Sequence, residues 1–370
     1  MTPDLLNMKV IISGGGSGGH IYPAIAIANE LKRQQPQVDI LFVGAEGKME
    51  MEKVPKAGYP IEGLWISGFH RKLTLRNLMF PFKLISSLWK ARRVLKRFQP
   101  DVVIGVGGFA SGPTLEMAYR LGIPTLIQEQ NSYAGVTNKL LAKKVNRICV
   151  AYHKMDRFFP KEKIVWTGNP VRSDIMELDD RKAVGFQHFG LDTTKQTILL
   201  FGGSLGAKAL NEAMAANTAP IAKEKDTQFI WQAGKLYIEK FKKSETAALP
   251  NVQIRAFLDR MDLAYAVADV VICRAGALTI SELSMVGKPA ILVPSPNVAE
   301  DHQTQNAKAL VEKDAAILVA DSKATERMIP TAIHIMRNNT EKEKLGRNIL
   351  QLAKPDAAKE IVSEVLKLVD

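Results

Sequence analysis

The sequence predicts an α/β protein built from two Rossmann-like parallel-sheet domains that face each other across a cleft. Three observations carry this reading. Short apolar runs alternate with helical stretches along most of the chain, the pattern of a parallel sheet with crossover helices. Two such series, one starting near Lys9 and the other at Thr197, each open with a strand that runs into glycines. Between them Thr167, Gly168, Asn169 and Pro170 read as a turn or hinge. The boundaries that follow are 1–168, 169–350 and a C-terminal helix over 351–370.

In the first series the strands are Val10–Ile12, Ile40–Val43, Val102–Ile104, Thr125–Ile127 and Arg147–Val150. Helices lie near Pro23–Arg33, Leu75–Phe98, Thr114–Leu121 and Val136–Ala142. Ligands of such sheets collect at the carboxyl ends of the strands, and each conspicuous polar motif falls there. The run Gly14–His20 joins the first strand to the first helix, where backbone N–H groups can meet a polar ligand without Cβ atoms in the way. His20 falls in the first helical turn and is the candidate reacting residue. Gly14, Gly16 and Gly19 also match a dinucleotide fingerprint, but that fingerprint wants an acid at the end of the second strand. Here the strand ends in Gly44, with Glu46 beyond it.

A second glycine-rich turn, Gly105–Pro113, follows Val102–Ile104. After Thr125–Ile127 come Gln128, Glu129, Gln130 and Asn131, a row of hydrogen-bonding side chains suited to a hydroxyl-rich substrate. The second series has strands at Thr197–Phe201, Gln228–Trp231, Val252–Arg255, Val270–Cys273, Ala290–Val293 and Ala316–Val319. Gly202, Gly203, Ser204, Leu205 and Gly206 are expected to open a helix and offer N–H groups and the Ser204 hydroxyl to a diphosphate, with Arg172 adding charge. Glu282, in the first turns of the helix after Arg274–Gly276, can take both hydroxyls of a ribose. Asp301, Gln303, Gln305 and Asn306 form a further amide-rich helix start. Diphosphate, ribose and sugar together describe a nucleotide sugar.

A formal charge of +12 asks for an acidic partner. From Gly63 to Pro100 there is no acid, while nine lysines and arginines are interleaved with apolar residues. Leu78, Phe82, Ile85 and Trp89 have the spacing of a helix face that packs on the sheet. That leaves Leu73, Leu75, Met79 and Phe80 as surplus, beside Arg71, Lys72 and Arg76, the composition of a peripheral surface on anionic lipid. A solvated basic face is the plainer alternative. Nucleic acid would need aromatic platforms or a recognition helix, and neither is seen. Cys149 and Cys273 lie far apart in apolar runs without metal-ligand spacing, which fits a reducing compartment. With no signal-like start and no uncharged apolar run near the roughly 18 residues of a membrane span, a protein neither exported nor integral is expected.

In their order along nearly the whole chain, the motifs Gly14–His20, Gly105–Pro113, Glu129–Asn131, Thr167–Arg172, Gly202–Ala207, Arg274–Glu282 and Asp301–Ala307 make the sequence similar to the MurG-type transferases of glycosyltransferase family 28. The resemblance implies the GT-B architecture and transfer of N-acetylglucosamine from UDP-GlcNAc to the MurNAc C4 hydroxyl of lipid I, with inversion, giving lipid II for peptidoglycan. It implies acceptor binding by the N-terminal domain and donor binding mainly by the C-terminal one, without a cofactor or metal. It implies donor contacts from Ser17, Gly18, Gly19, Asn131, Arg172, Ser204, Leu258, Ala277, Leu278, Thr279, Ile280, Ser281, Glu282 and Gln303. His20 would act as base, with Glu129 as base or orienting group. The same resemblance implies peripheral attachment to the cytoplasmic, anionic leaflet of the bacterial inner membrane, and partners among wall-building proteins rather than nucleic acid. Two positions depart from the family pattern: Ser17 stands where threonine is common, and Gln128 where a histidine begins the His-Glu-Gln-Asn run. A lipid galactosyltransferase, a UDP-GlcNAc 2-epimerase and a silent membrane adaptor are the competing readings.

Overall fold

In the computed structural model of the chain, residues 8–68, 79–172, 175, 178–298 and 301–369 are described. The chain forms two compact units, Met1–Val171 with Lys354–Asp370, and Arg172–Ala353.

The first unit holds a seven-stranded, all-parallel sheet. Its strands are β1 (Lys9–Ser13), β2 (Asp39–Ala45), β3 (Ile61–Leu64), β4 (Val102–Gly105), β5 (Thr125–Glu129), β6 (Arg147–Val150) and β7 (Ile164–Trp166), in the order β3-β2-β1-β4-β5-β6-β7. Strand β1 lies between β2 and β4, pairing Val10 with Ile40 on one side and with Val102 on the other. The order reverses there, so the crevice at the carboxyl ends of β1 and β4 is where a ligand is expected. The α-helices of this part of the chain, among the described residues, are α1 (Gly18–Gln34), α2 (Glu50–Lys56), α3 (Phe80–Phe98), α4 (Ser111–Arg120) and α5 (Val136–Leu141).

Alternate strand residues serve opposite faces. Val10, Ile12, Ile40, Phe42, Val102 and Ile104 pack under Ile21, Ala24, Ile27 and Leu31 of α1. Ile11, Leu41, Val43 and Val103 pack under Ala91, Val94 and Leu95 of α3 and Leu115 of α4.

The sequence pattern placed Phe82, Ile85 and Trp89 against the sheet, and the structure reverses this. They are 65%, 66% and 60% exposed, while Phe80, Leu84 and Leu88 pack on the core with Ala91, Val94 and Leu95. Phe80, expected among the surplus residues, is therefore a core contact. The reason is where each stripe leads. The 80-84-88-91-95 face stays apolar to the end of α3, whereas the 82-85-89 face runs into Arg92, Arg93 and Lys96, which cannot be buried without partners. Met79 is 44% exposed. Arg71, Lys72, Leu73, Leu75, Arg76 and Leu78 lie outside the described residues.

The second unit holds a six-stranded parallel sheet of β8 (Gln196–Phe201), β9 (Thr227–Gln232), β10 (Val252–Arg255), β11 (Val270–Cys273), β12 (Ala290–Leu292) and β13 (Ile317–Leu318), ordered β10-β9-β8-β11-β12-β13. Its helices are α6 (Lys182–Phe189), α7 (Lys208–Ala216), α8 (Thr218–Lys223), α9 (Ile238–Phe241), α10 (Met261–Val267), α11 (Ala277–Val286), α12 (His302–Val311), α13 (Ala324–Arg337) and α14 (Asn339–Leu350). Here the switch point lies between β8 and β11.

Helix α15 (Ala357–Leu366) returns to the first unit. Ile361, Val362 and Val365 join the core beneath α1, each such side chain contributing roughly 1.5–3 kcal/mol by leaving water.

At the start of α10, buried Asp262 accepts bonds from Arg260 Nε at 2.9 Å, Arg260 Nη2 at 2.7 Å and Arg181 Nη1 at 2.5 Å. The Arg260 fork above all, with Arg181 and against the opposing effect of burial, holds this carboxyl down to about 2. An unfolded aspartate titrates near 3.9, so the stabilisation is complete above that pH and is lost as pH falls towards 2. Asp262→Asn is expected to lower unfolding stability by roughly 1–3 kcal/mol at neutral pH. In denaturant titrations the gap between variant and wild type should narrow below pH 4.

Candidate active site

Above the β1/β4 switch point the backbone of two loops comes together. The loop after β1 is held by Gly14 N–H on Val43 O at 3.2 Å. Its far side rests on Glu50, a buried residue of α2. Glu50 Oε2 accepts the Gly16 N–H at 2.8 Å, and Oε1 accepts the Ala45 N–H at 3.0 Å. In the loop after β4, Gly107 and Gly108 have φ of +88° and +89°. A Cβ on Gly108 would lie 2.4 Å from Gly15 O, so only glycine permits this approach. Ser111 Oγ donates to Ser13 O at 2.6 Å, tying the start of α4 to the end of β1.

His20 sits in the first turn of α1, as expected. Its Nδ1 is 2.9 Å from Gly15 O and 3.4 Å from Ser17 Oγ. A carbonyl oxygen only accepts, so Nδ1 carries the proton and Nε2 of the neutral ring keeps its lone pair. Nε2 faces the second glycine loop, where a Cβ on Gly107 would lie 2.9 Å from it.

Glu129 ends β5, buried, with both oxygens engaged. Oε1 accepts from Asn131 N at 3.0 Å and Asn131 Nδ2 at 3.3 Å. Oε2 accepts from Gly135 N at 3.0 Å and Asn138 Nδ2 at 2.9 Å. The carboxylate thus folds residues 130–138 around itself, and Asn138 also lies against Gly107, on which His20 Nε2 closes. Gln128 is fully buried: Nε2 donates to Asn169 Oδ1 at 2.8 Å, and Oε1 accepts from Gln130 Nε2. A neutral amide donates and accepts at once, so the departure from histidine leaves this position tied to the Thr167–Pro170 turn.

In the second unit Gly202–Ala207 is a loop, and α7 begins only at Lys208. This corrects the expectation that the glycines themselves open the helix. Gly203 and Gly206, at φ +91° and +84°, cannot continue into a right-handed turn there. Gln232, at the end of β9, pins the loop: Oε1 accepts from Gly202 N at 3.1 Å and Nε2 donates to Gly203 O at 2.9 Å. Ser204 and Leu205 remain exposed.

Gly276 precedes α11, whose residues Ala277, Leu278, Thr279, Ile280, Ser281 and Glu282 were expected at the donor. Ile280 is buried, and Ser281 Oγ bonds back to Ala277 O at 3.0 Å. Glu282 Oε2 accepts from Tyr265 Oη at 3.0 Å, and Arg172 Nε lies 3.5 Å from Oε1. Burial and then the Glu282 charge push the Tyr265 phenol well up, so it stays a donor. Arg172 therefore pairs with the carboxylate expected at a ribose. Leu258 is buried, and Gln303 Oε1 accepts from Ser295 N at 2.8 Å. Arg274 is structural, bonding Val293 O, Pro294 O and Asp321. Both cysteines are buried and their thiols pushed up by desolvation, which leaves them inert.

Sequence reasoning missed Glu50, Asn138, Gln232 and Tyr265, each of which acts through a contact outside its own motif, from nine residues away for Asn138 and Glu129 to 34 for Glu50 and Gly16.

Residues 10–150 match the glycosyltransferase family 28 N-terminal domain, and residues 197–361 the family 28 C-terminal domain. A Flavobacterium psychrophilum protein is 55% identical over 98% of both chains, and a Bacteroides fragilis protein 53% identical over 98% of this chain and 96% of its own. Both are named UDP-N-acetylglucosamine–N-acetylmuramyl-(pentapeptide) pyrophosphoryl-undecaprenol N-acetylglucosamine transferase. The crystal structure of Acinetobacter baumannii MurG is similar with a TM-score of 0.76 and 31% identity, covering 97% of this chain and 99% of that one. A Neisseria meningitidis UDP-GlcNAc 2-epimerase shares the fold, with a TM-score of 0.67 at 15% identity over 98% of this chain and 100% of its own.

Replacing Glu129 with glutamine turns one acceptor into a donor facing backbone N–H groups. Amide exchange at Asn131 and Gly135 should then accelerate roughly tenfold or more. Mass-spectrometric hydrogen exchange over this loop checks it; unchanged protection would mean that the carboxylate does not hold the loop.

Proposed function

The chain belongs to glycosyltransferase family 28, and from that premise we propose how its residues perform the family's reaction. It is a UDP-GlcNAc-dependent N-acetylglucosaminyltransferase that acts on undecaprenyl-pyrophosphoryl-MurNAc-pentapeptide, lipid I, and forms lipid II. The observation that carries this is identity of 51–55% to transferases of that name over at least 98% of the chain.

The reaction is a direct displacement. The C4 hydroxyl of MurNAc attacks the anomeric carbon of GlcNAc from the face opposite UDP, and the configuration inverts. His20 takes the hydroxyl proton on Nε2, the nitrogen that its bond to Gly15 O leaves unprotonated. Glu129 already accepts four N–H bonds, which suits it to orienting the acceptor loop rather than to abstracting a proton. Ser17, Gly18, Gly19 and Asn131 line the same end of the first sheet. In the second unit, Glu282 has the chemistry to accept ribose hydroxyls, with Tyr265 and Arg172 fixing its rotamer. Ser204 and the glycine backbone around it serve the diphosphate. Leu258, Ala277–Ser281 and Gln303 supply the remaining contacts to the nucleotide.

The lipid-linked acceptor also requires a bilayer. No helix among the described residues is long and apolar enough to cross a membrane. The exposed stripe Phe82, Ile85 and Trp89 continues into Arg92, Arg93 and Lys96, and the Arg93 guanidinium stacks 3.9 Å from the Trp89 ring centroid. This stripe, with Met79 at its start, supports peripheral attachment to the anionic cytoplasmic leaflet of the inner membrane. Apolar groups enter the headgroup region while each cation adds about 1 kcal/mol. A stripe of this kind on one helix fits lipid better than nucleic acid.

UDP release from UDP-GlcNAc should require a short-chain lipid I analogue, and release without it would point to hydrolysis or epimerisation. His20→Ala should lower kcat by roughly 10²–10⁴ while UDP-GlcNAc affinity persists; a retained rate would remove His20 from the role. In a flotation assay, Phe82→Ser/Ile85→Ser/Trp89→Ser should cut binding to phosphatidylglycerol-containing vesicles at least tenfold. Equal flotation of variant and wild type would mean that another surface holds the lipid.

A further inference from the structure

We propose that Glu50 is a positioning residue that sets the tautomer and basicity of His20 through the single peptide group joining Gly15 to Gly16. The proposal rests on the reading of His20 as the base. Glu50 accepts the N–H of that peptide at 2.8 Å, and His20 Nδ1–H donates to its C=O at 2.9 Å. The two bonds are opposite ends of one amide. A negative charge on the N–H side shifts electron density towards the carbonyl oxygen and makes it a better acceptor for Nδ1–H. In a carboxylate–imidazole dyad the acid touches the ring and fixes its tautomer. Here a peptide is interposed, which keeps the orientation and passes on part of the charge.

His20 needs such a group because of where it stands. It occupies the first turn of a 17-residue helix, whose positive N-terminal end opposes formation of imidazolium. That turn, Gly18 to Ile21, has no acid of its own. Among the described residues, the carboxylates of Glu50 on α2 and Glu129 at the end of β5 reach this corner from other elements. Glu129 is one step further removed, since it holds Asn138, which with Nε2 lies against Gly107. The neutral Ser17 hydroxyl lies 3.4 Å from Nδ1. The protein also makes room for Glu50. A Cβ on Gly44 would fall 2.6 Å from Glu50 Cγ, and one on Gly15 would fall 2.2 Å from its carboxyl carbon.

The test is a pH titration of the full-length protein labelled with ¹⁵N-histidine, with the His20 signals assigned from a His20→Gln variant. In wild type the neutral ring should show the Nδ1–H tautomer. In Glu50→Gln the midpoint should fall by roughly half a pH unit or more, with a mixed tautomer. The acid limb of kcat/KM should move down by the same amount. kcat should fall about fivefold or more, with the KM for UDP-GlcNAc held within about twofold. Gly44→Ala, which displaces Glu50 without altering a charged residue, should reproduce the shift and provides the reading if Glu50→Gln fails to fold. A His20 midpoint and tautomer unchanged in both variants would overturn the proposal and leave Glu50 as a loop support. A midpoint that falls while the acid limb stays put would instead sink the assignment of His20 as base and leave the coupling standing.

Discussion

The first unit depends on one close approach: the backbone of Gly108 lies on that of Gly15, with no room for a side chain between them. Each loop follows a strand at the point where the sheet order reverses, so the crevice that the topology opens is lined by peptide groups. Peptide groups in contact must have their hydrogen bonds met from outside the pair. Ser111 supplies one, Val43 another, and Glu50 a third. His20 is then clamped from the inside by Gly15 O. Loop geometry and ring tautomer are therefore consequences of one contact, and a methyl group at residue 108 would disturb both.

The second unit solves the same problem with different residues. Its glycine loop is braced by the Gln232 amide, where the first unit uses the Glu50 carboxylate. The contrast fits the chemistry assigned to each. A neutral amide leaves the positive potential of the loop available to a diphosphate, whereas a carboxylate beside a general base favours its protonated form. The two halves share a fold and an arrangement of glycines, and they differ in the charge placed behind the loop.

Both sheets were legible because fully buried parallel strands are continuous apolar runs, as in Val270–Cys273. Strand β3 was missed because Ile61–Leu64 contains Glu and Gly, β7 because Ile164–Trp166 is only three residues long, and α2 because it buries little beyond Glu50 and Val54. The glycine turns and His20 could be placed from local pattern. Glu50 could not, since its contact with Gly16 spans 34 residues. The stripe on α3 was misassigned because four apolar residues at helical spacing fit two faces equally well. Following each stripe to the charged end of the helix decides between them, and that signal was present in the sequence. The late start of α7 was hidden because glycine-rich turns that end in a helix and those that end in a further loop look alike without φ values.

The return of α15 to the first unit has a bearing on biosynthesis. Ile361, Val362 and Val365 complete the core beneath α1, and Glu364 reaches Arg147 at 3.4 Å. A ribosome making this chain must therefore release the whole of Arg172–Ala353 before the first unit can close. Until then the N-terminal sheet waits with an uncovered apolar groove, while the later unit, continuous in sequence, can fold as soon as it emerges. Closure of the first unit thus waits for the last residues of the chain to be made.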